Sequence, residues 1–309
     1  MIFCGMASSS ISPFQAFLMV MLIIFWGSSF VVVKVLIGDG LSPIAVATFR
    51  FLVAGALFLI ALFLKKRVSP DYKLGVERKD LLTLFVLGLT GVTFFFTIQY
   101  TGIQLAGASI AAILVCLLSP ILITVFSTRL FGEHLRKRQF VGIGIAVVGT
   151  LLVVSADLLN LEGSMVFLVG TLILLSTPAL WATYTLLGQR ITQKYDAFLV
   201  VAYVSLFGGL CLIPFSLAEN SFSQILTLGI NQWLGILYLA FTCSLLGYYI
   251  WFYVLRKAGA TASTFLFAEP LITAIFAVMF VNEVLYPTVI AGAVLIFIGV
   301  FLVTTKNRK

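Results

Sequence analysis

The sequence predicts an all-α membrane protein whose ten transmembrane helices form two inverted five-helix repeats. Three observations support this prediction: the apolar composition, the one-sided distribution of basic residues, and a motif that recurs at a fixed offset. Of the 309 residues, 61% are hydrophobic and only 10% are charged, whereas soluble domains are about half apolar and a quarter charged. A soluble globular fold is therefore excluded.

Ten apolar runs follow one another along the chain, each about as long as a bilayer is thick. The polar breaks between them are short, which leaves no room for an extramembrane domain. The predicted spans are 14–37, 43–64, 80–99, 103–128, 138–155, 165–188, 198–218, 231–254, 260–281 and 286–304.

Basic residues mark one side of the predicted bundle. Of the 19 Lys and Arg residues, 17 fall in the segments that follow spans 2, 4, 6, 8 and 10, and none falls in the loops after the odd-numbered spans. By the positive-inside rule both termini are expected in the cytoplasm. The net charge of +8 thus reflects orientation rather than a nucleic-acid partner. With no signal or transit peptide recognised, we expect a prokaryotic inner membrane.

A spaced motif occurs once in each half of the chain. Its first copy is Pro120, Glu133, Gly142 and Gly149, and its second copy is Pro270, Glu283, Gly292 and Gly299, at a constant offset of 150. This places the first repeat at 14–155 (helices 1–5) and the second at 165–305 (helices 6–10). Because each repeat has an odd number of spans, the second must insert upside down, as is typical of secondary transporters with a midplane site between the halves.

These motifs resemble a known family. The segment from Phe25 through Trp26-Gly27-Ser28-Ser29 to Lys34, with Leu41-Ser42-Pro43 and Arg50, resembles the opening repeat of EamA-type members of the drug/metabolite transporter superfamily. The two repeated segments are similar to the fourth and fifth helices of each repeat in that family. The resemblance implies ten helices around a central cavity, alternating access, and movement of amino acids, other small metabolites or drugs.

Three charged residues lie inside predicted spans, where a charge is costly and by default a functional candidate. Glu269 is placed near the middle of span 9, directly before Pro270, and its counterpart in the first repeat is Ser119. We expect Glu269 to bind a substrate amine or a proton. The alternative is a structural carboxylate held by neighbouring hydroxyl groups or a base.

Lys34 and Arg50 are the other two intramembrane charges. They are candidates for holding a substrate carboxylate or phosphate in the half of the bundle away from the basic loops. The alternative is a structural tie between helices or an anchor at the membrane interface. The residue types alone leave both open.

Further polar and aromatic side chains at helical spacing are candidates for lining a substrate path. They are Trp26, Ser29, Thr97, Tyr100, Trp181, Tyr184, Tyr248, Tyr249 and Trp251. Tyr and Trp also form belts at membrane interfaces, and interhelical hydroxyl bonds are common, so a structural role stays open for each.

Other residues are interpreted as architecture. Gly142, Gly149, Gly292 and Gly299 are expected to allow close helix packing, and Pro120 and Pro270 to kink their helices. Glu133 and Glu283 are expected to cap the first turn of the helix that follows each of them, spans 5 and 10.

The sequence therefore favours a secondary-active or facilitative transporter of small organic metabolites, with amino acids or similar zwitterions as the expected substrates. A drug exchanger and an exchanger of phosphorylated metabolites or nucleotide sugars remain alternatives. An enzyme is not expected, because no clustered nucleophile, base or GxSxG motif occurs. A single histidine gives no metal site, and no cofactor is expected. Without a Walker A motif, coupling to a proton or counter-substrate and simple facilitation both stay open, as do monomer and homodimer.

Overall fold

The computed structural model describes residues 12–131, 137–154, 165–258 and 264–304, and across these ranges the fold is built from helices. Their bounds are α1 Pro13–Gly38, α2 Pro43–Val68, α3 Arg78–Ala106, α4 Ala108–Phe126, α5 Lys137–Val154, α6 Met165–Thr192, α7 Ala197–Ala218, α8 Ile230–Val254, α9 Phe265–Val281 and α10 Pro287–Thr304. Within the described ranges, nine of these helices are long and apolar enough to cross a bilayer, and α9 is a shorter apolar helix.

Local sequence signals fix where several helices begin. Ser12 and Gln15 form a capping box ahead of Pro13 in α1, and Ser42 caps α2 ahead of Pro43. Asp196 accepts hydrogen bonds from two backbone N–H groups in the first turn of α7. Each cap satisfies N–H groups that have no partner inside the helix. The capping residues therefore determine where these helices begin within the polar segments that the sequence places before each span.

The helices pack in pairs that map onto one another when the two halves are exchanged. α1 packs against α8 and α9, and the equivalent α6 packs against α3 and α4. α2 packs against α8 as α7 packs against α3, while α2–α7 and α5–α10 pair across the halves. This exchange symmetry confirms the predicted inverted repeat.

The α5–α10 pair shows the two-fold relation at the level of single residues. Gly142 lies against Gly299, and Gly149 lies against Gly292. A Cβ atom at Gly149 would stand 2.6 Å from the carbonyl oxygen of Gly292. The two helices therefore run antiparallel at a separation that only glycine permits at these positions.

Substitution at Gly149 should destabilise the fold. We expect Gly149→Val to lower the free energy of unfolding by about 1–3 kcal/mol, because the added carbons would force α5 and α10 apart. The melting temperature of the purified protein measures this effect. Gly144→Val is the matched control in the same helix, since a Cβ at Gly144 meets no atom of the described residues within 4 Å. Equal melting temperatures for the two variants would contradict the prediction.

Four helices contain a segment wound as a π or 3-10 helix, and these segments lie at equivalent positions in the two halves of the chain. α3 contains a π-helical segment at Leu89–Thr93, and α8 contains one at Tyr238–Leu246, its equivalent in the second half. α4 has a π segment at Ile113–Leu117 shortly before Pro120, and the 3-10 segment Thr264–Ala268 leads into Pro270 of α9. Proline removes a backbone donor and is compatible with such changes of winding.

Two loops that carry basic residues meet on one side of the bundle, which we call the basic side. Lys194 after α6 forms ion pairs of 2.6 Å with Glu77 and with Asp80 at the start of α3. Lys65 and Tyr72 both contact Asp196, at 3.3 and 3.0 Å. Hydrogen bonds from Lys194 and Lys79 hold the pKa of Glu77 below its usual range. The loops after α2 and α6 thus lie together on one side, as expected when successive spans alternate in direction.

Two expectations are wrong in detail. The sequence placed the break between spans 3 and 4 at 99–103, but α3 continues to Ala106 and ends at Gly107, whose φ of 96° is accessible mainly to glycine. Glu283 does not cap the following helix α10; it caps α4, in the other half. Asn282 adopts a left-handed conformation that redirects the chain, and α10 begins with Pro287, which has no N–H to satisfy. Glu133 lies outside the described residues.

Candidate functional site

A buried arginine lies where α2, α3 and α8 meet. Arg50 is only 5% exposed. Its Nη1 donates to the hydroxyl of Tyr100 at 2.5 Å, and its Nε donates to Oγ of Ser244 at 3.2 Å. Its guanidinium carbon lies 4.8 Å from the ring centre of Phe96. Among the described residues Arg50 forms no ion pair with a carboxylate, so its charge is met by hydroxyl oxygens and aromatic rings only.

The π segment of α8 provides part of this environment. Ser244 donates to the carbonyl of Leu239, five residues earlier, while its oxygen accepts from Arg50. The indole N–H of Trp26 on α1 donates to the carbonyl of Cys243 at 2.9 Å. A π segment changes the backbone hydrogen-bond pattern, so side chains from other helices satisfy groups that an α-helix would pair internally. Trp26 thereby ties α1 to α8.

A buried acid lies at the start of the α-helical part of α9. Glu269 is 7% exposed, and its side chain faces the thiol of Cys116 on α4. Thr273 donates to the carbonyl oxygens of both Gly27 and Glu269, at 2.9 and 3.1 Å. A Cβ at Gly27 would stand 3.1 Å from the Glu269 carbonyl oxygen. The close approach of α1 therefore holds the backbone of Glu269 in place.

Tyr248 on α8 lies within electrostatic range of Arg50, Tyr100 and Glu269. Arg50 and Glu269 nevertheless do not form an ion pair with one another. We name Arg50, Tyr100, Ser244, Tyr248 and Glu269 the central polar cluster. Its members come from both halves of the chain, so a movement of one half against the other changes the cluster.

Aromatic side chains border the central polar cluster. Phe96 packs on Arg50 and on Tyr100. The ring centre of Phe95 lies 5.2 Å from that of Trp181 on α6. Trp181 in turn contacts Tyr184, whose hydroxyl lies near Tyr248. These rings form an apolar wall beside Arg50 and Tyr100.

The other sequence candidates lie in different environments. Lys34 donates to the carbonyl oxygens of Ile103 and Gln104 at the end of α3, which is a tie between helices. Ser29 bonds within its own helix to Trp26. Trp251 packs beside Trp26, whereas Tyr249 is 58% exposed and stacks on Tyr253 at the outer surface.

Three residues near the site were not predicted from the sequence. Ser244 bonds Arg50, and Cys116 faces Glu269. Gln99 on α3 is 5% exposed, and its Oε1 is an acceptor that finds no partner among the described residues, as is Oγ1 of the predicted candidate Thr97. An amide at the end of predicted span 3 was the available signal for Gln99. Nothing in the sequence marked Ser244, because its role depends on the π segment.

Two inverted five-helix halves around a buried cation and a buried acid define a multi-pass membrane protein of the transporter class. The EamA-like transporter family matches residues 13–155 and 168–305, one match in each half. The chain belongs to the EamA-like transporter family and is a membrane transporter.

Relatives of similar length support this assignment. An uncharacterized transporter from Archaeoglobus fulgidus is 29% identical over 94% of this chain and 98% of its own length. A probable amino-acid metabolite efflux pump from Salmonella typhimurium is 26% identical, over 93% of this chain and 94% of its own. A solved crystal structure at 20% identity aligns with a TM-score of 0.59, covering 94% of this chain and 96% of that one, and supports the fold alone.

Proposed function

We propose that this protein transports amino acids or similar small zwitterions by alternating access, and that the central polar cluster is the binding site. In this proposal Arg50 and Tyr100 bind the substrate carboxylate. Glu269 binds the ammonium group, and the rings of Phe96 and Tyr184 face the rest of the substrate. The relative described as a probable amino-acid metabolite efflux pump supports the substrate class.

The observation that favours this proposal most is the state of Arg50. A buried charge without an opposite charge is costly, and such groups inside a membrane protein are typically functional. Arg50 has donors beyond the two that are bonded. Tyr100 must act as the acceptor in its bond with Arg50, so its own O–H is left to donate. A carboxylate would accept from both groups in charge-assisted hydrogen bonds.

Glu269 provides the complementary group. It is buried and faces the thiol of Cys116 rather than a cation. It belongs to the second half of the chain, whereas Arg50 belongs to the first. A substrate with one positive and one negative end would place an ammonium group at Glu269 and a carboxylate at Arg50 at the same time. A phosphorylated substrate would neutralise Arg50 but would leave Glu269 without a partner, so the zwitterion fits the pair better.

A matched set of ligands tests the proposed function. We expect leucine to raise the melting temperature of the purified protein, because a ligand that binds only the folded state stabilises it by mass action. Isoamylamine and 4-methylvalerate, which lack the carboxylate and the amine respectively, should stabilise it far less. The same comparison is made by counterflow of labelled amino acid into proteoliposomes. If no member of an amino-acid panel shifts the melting temperature or undergoes counterflow, the proposal is wrong.

A further inference from the structure

The turn between α3 and α4 is formed by Gly107. Its φ of 96° ends α3 and starts α4 without a longer loop. The last carbonyl groups of α3 and the first N–H groups of α4 are therefore adjacent. Tyr100 of the central polar cluster lies seven residues before this turn, roughly 10 Å along the helix. The turn thus lies between the cluster and the side of the bundle opposite the basic side.

Two charged side chains from other helices hold this turn. Glu283, just after α9, accepts from the backbone N–H groups of Ala108 and Ser109 at 2.6 and 3.0 Å, and from the Ser109 hydroxyl at 2.6 Å. Lys34 on α1 donates to the carbonyls of Ile103 and Gln104 at 3.2 and 3.4 Å. The acid meets a helix N-terminus and the cation meets a helix C-terminus, which is the favourable arrangement at both ends.

These contacts join two packing units. α1 and α9 pack on one another, with Gly27 against the backbone of Glu269. α3 and α4 form the unit on the other side of the contact. Opening a path from this side to the central polar cluster requires the two units to part. The contacts of Glu283 and Lys34 must then break.

We propose that Glu283 and Lys34 form the latch that closes the substrate path on the side opposite the basic loops. This inference rests on the alternating access of the proposed function, but it does not depend on the identity of the substrate. Glu283 contributes most of the latch, because its carboxylate accepts three hydrogen bonds at once. The sequence Ala106-Gly107-Ala108 recurs as Ala258-Gly259-Ala260 in the second half, and Gln189 takes the place of Lys34 there, so the cation of the latch occurs in one half only.

Accessibility of Cys116 measures the latch directly. Cys116 faces Glu269. Seen from the side opposite the basic side, Cys116 lies deeper in the bundle than the latch. In a background with Cys4, Cys211 and Cys243 replaced by Ser, a membrane-impermeant thiol reagent is applied to oriented vesicles from each side without substrate. We expect Glu283→Gln to raise the labelling rate of Cys116 from the side opposite the basic loops by about tenfold, because charged hydrogen bonds that favour the closed state are lost. Lys34→Gln should raise it less.

Glu219→Gln is the matched control. Glu219 is another acid on the same side, and it accepts from the hydroxyl of Ser42 away from Gly107. In the Glu219→Gln variant Cys116 should be labelled at the parent rate. In the Glu283→Asp variant Cys116 should be labelled more slowly than in the Glu283→Gln variant. The latch proposal is overturned if the Glu283→Gln and Lys34→Gln variants are both folded, as judged by their elution, and Cys116 in both is labelled at the parent rate. That result would leave the ligand experiments on the proposed function unaffected, because no substrate is used here.

Discussion

Replacing Arg50 by glutamine is expected to weaken binding of a zwitterionic substrate by at least about 30-fold, because removing one partner of a buried, hydrogen-bonded charge pair costs about 2–5 kcal/mol. Affinity for the decarboxylated amine should change little, since that ligand has no group for Arg50 to bind. The measurements are ligand titrations of the purified variant and counterflow in proteoliposomes.

Stability distinguishes a functional Arg50 from a structural one. In the described structure its charge has no opposite partner. Glutamine removes that charge, so the melting temperature without ligand should not fall below that of the parent. Arg67→Gln, at the exposed basic end of α2, serves as the control and should leave both affinity and transport unchanged. A destabilised Arg50→Gln that still binds the zwitterion normally would contradict the assignment.

Replacing Glu269 by glutamine is expected to give the reciprocal result. Affinity for the zwitterion should fall by about tenfold or more, because hydrogen bonds to charged groups contribute roughly 1.5–3 kcal/mol. Affinity for the deaminated carboxylate should stay the same or rise, since that ligand leaves Glu269 without a cation. The same titrations are used as for Arg50→Gln.

The two variants together form a test that neither provides alone. If Arg50 binds the carboxylate and Glu269 binds the amine, each substitution affects a different half of the zwitterion. Glu219→Gln again controls for the loss of an acid elsewhere. If both substitutions weaken the amine and the carboxylate equally, the two residues shape the site rather than bind separate groups.

Sequence information was sufficient for the spans and for their inverted arrangement, and the reason is physical. Lipid requires long apolar helices, and the odd number of spans in each repeat requires opposite insertion. Arg50 and Glu269 could be selected because charges within apolar spans are conspicuous. Their common neighbour Tyr248 was a candidate too, but helical spacing could not separate it from Tyr249, which the fold turns to the outer surface.

The details that escaped prediction depend on contacts between distant segments. Glu283 was expected to cap the nearest helix in the chain, yet the left-handed turn at Asn282 directs it to α4. Ser244 reaches Arg50 within a π segment, which composition does not reveal. The end of α3 at Gly107 was missed because apolar residues continue on both sides of it. In each case the decisive interaction joins residues more than 100 positions apart or depends on one backbone angle.

The crossed glycine contacts between α5 and α10 have a consequence for assembly. Gly142 touches Gly299 and Gly149 touches Gly292, so exchanging the two halves returns the same set of contacts. An interface with that property is isologous, as in a two-fold dimer of identical subunits. A single five-helix segment that inserted into the bilayer in both orientations would therefore carry a self-complementary surface. The covalent link between the halves ensures one copy of each orientation in every molecule.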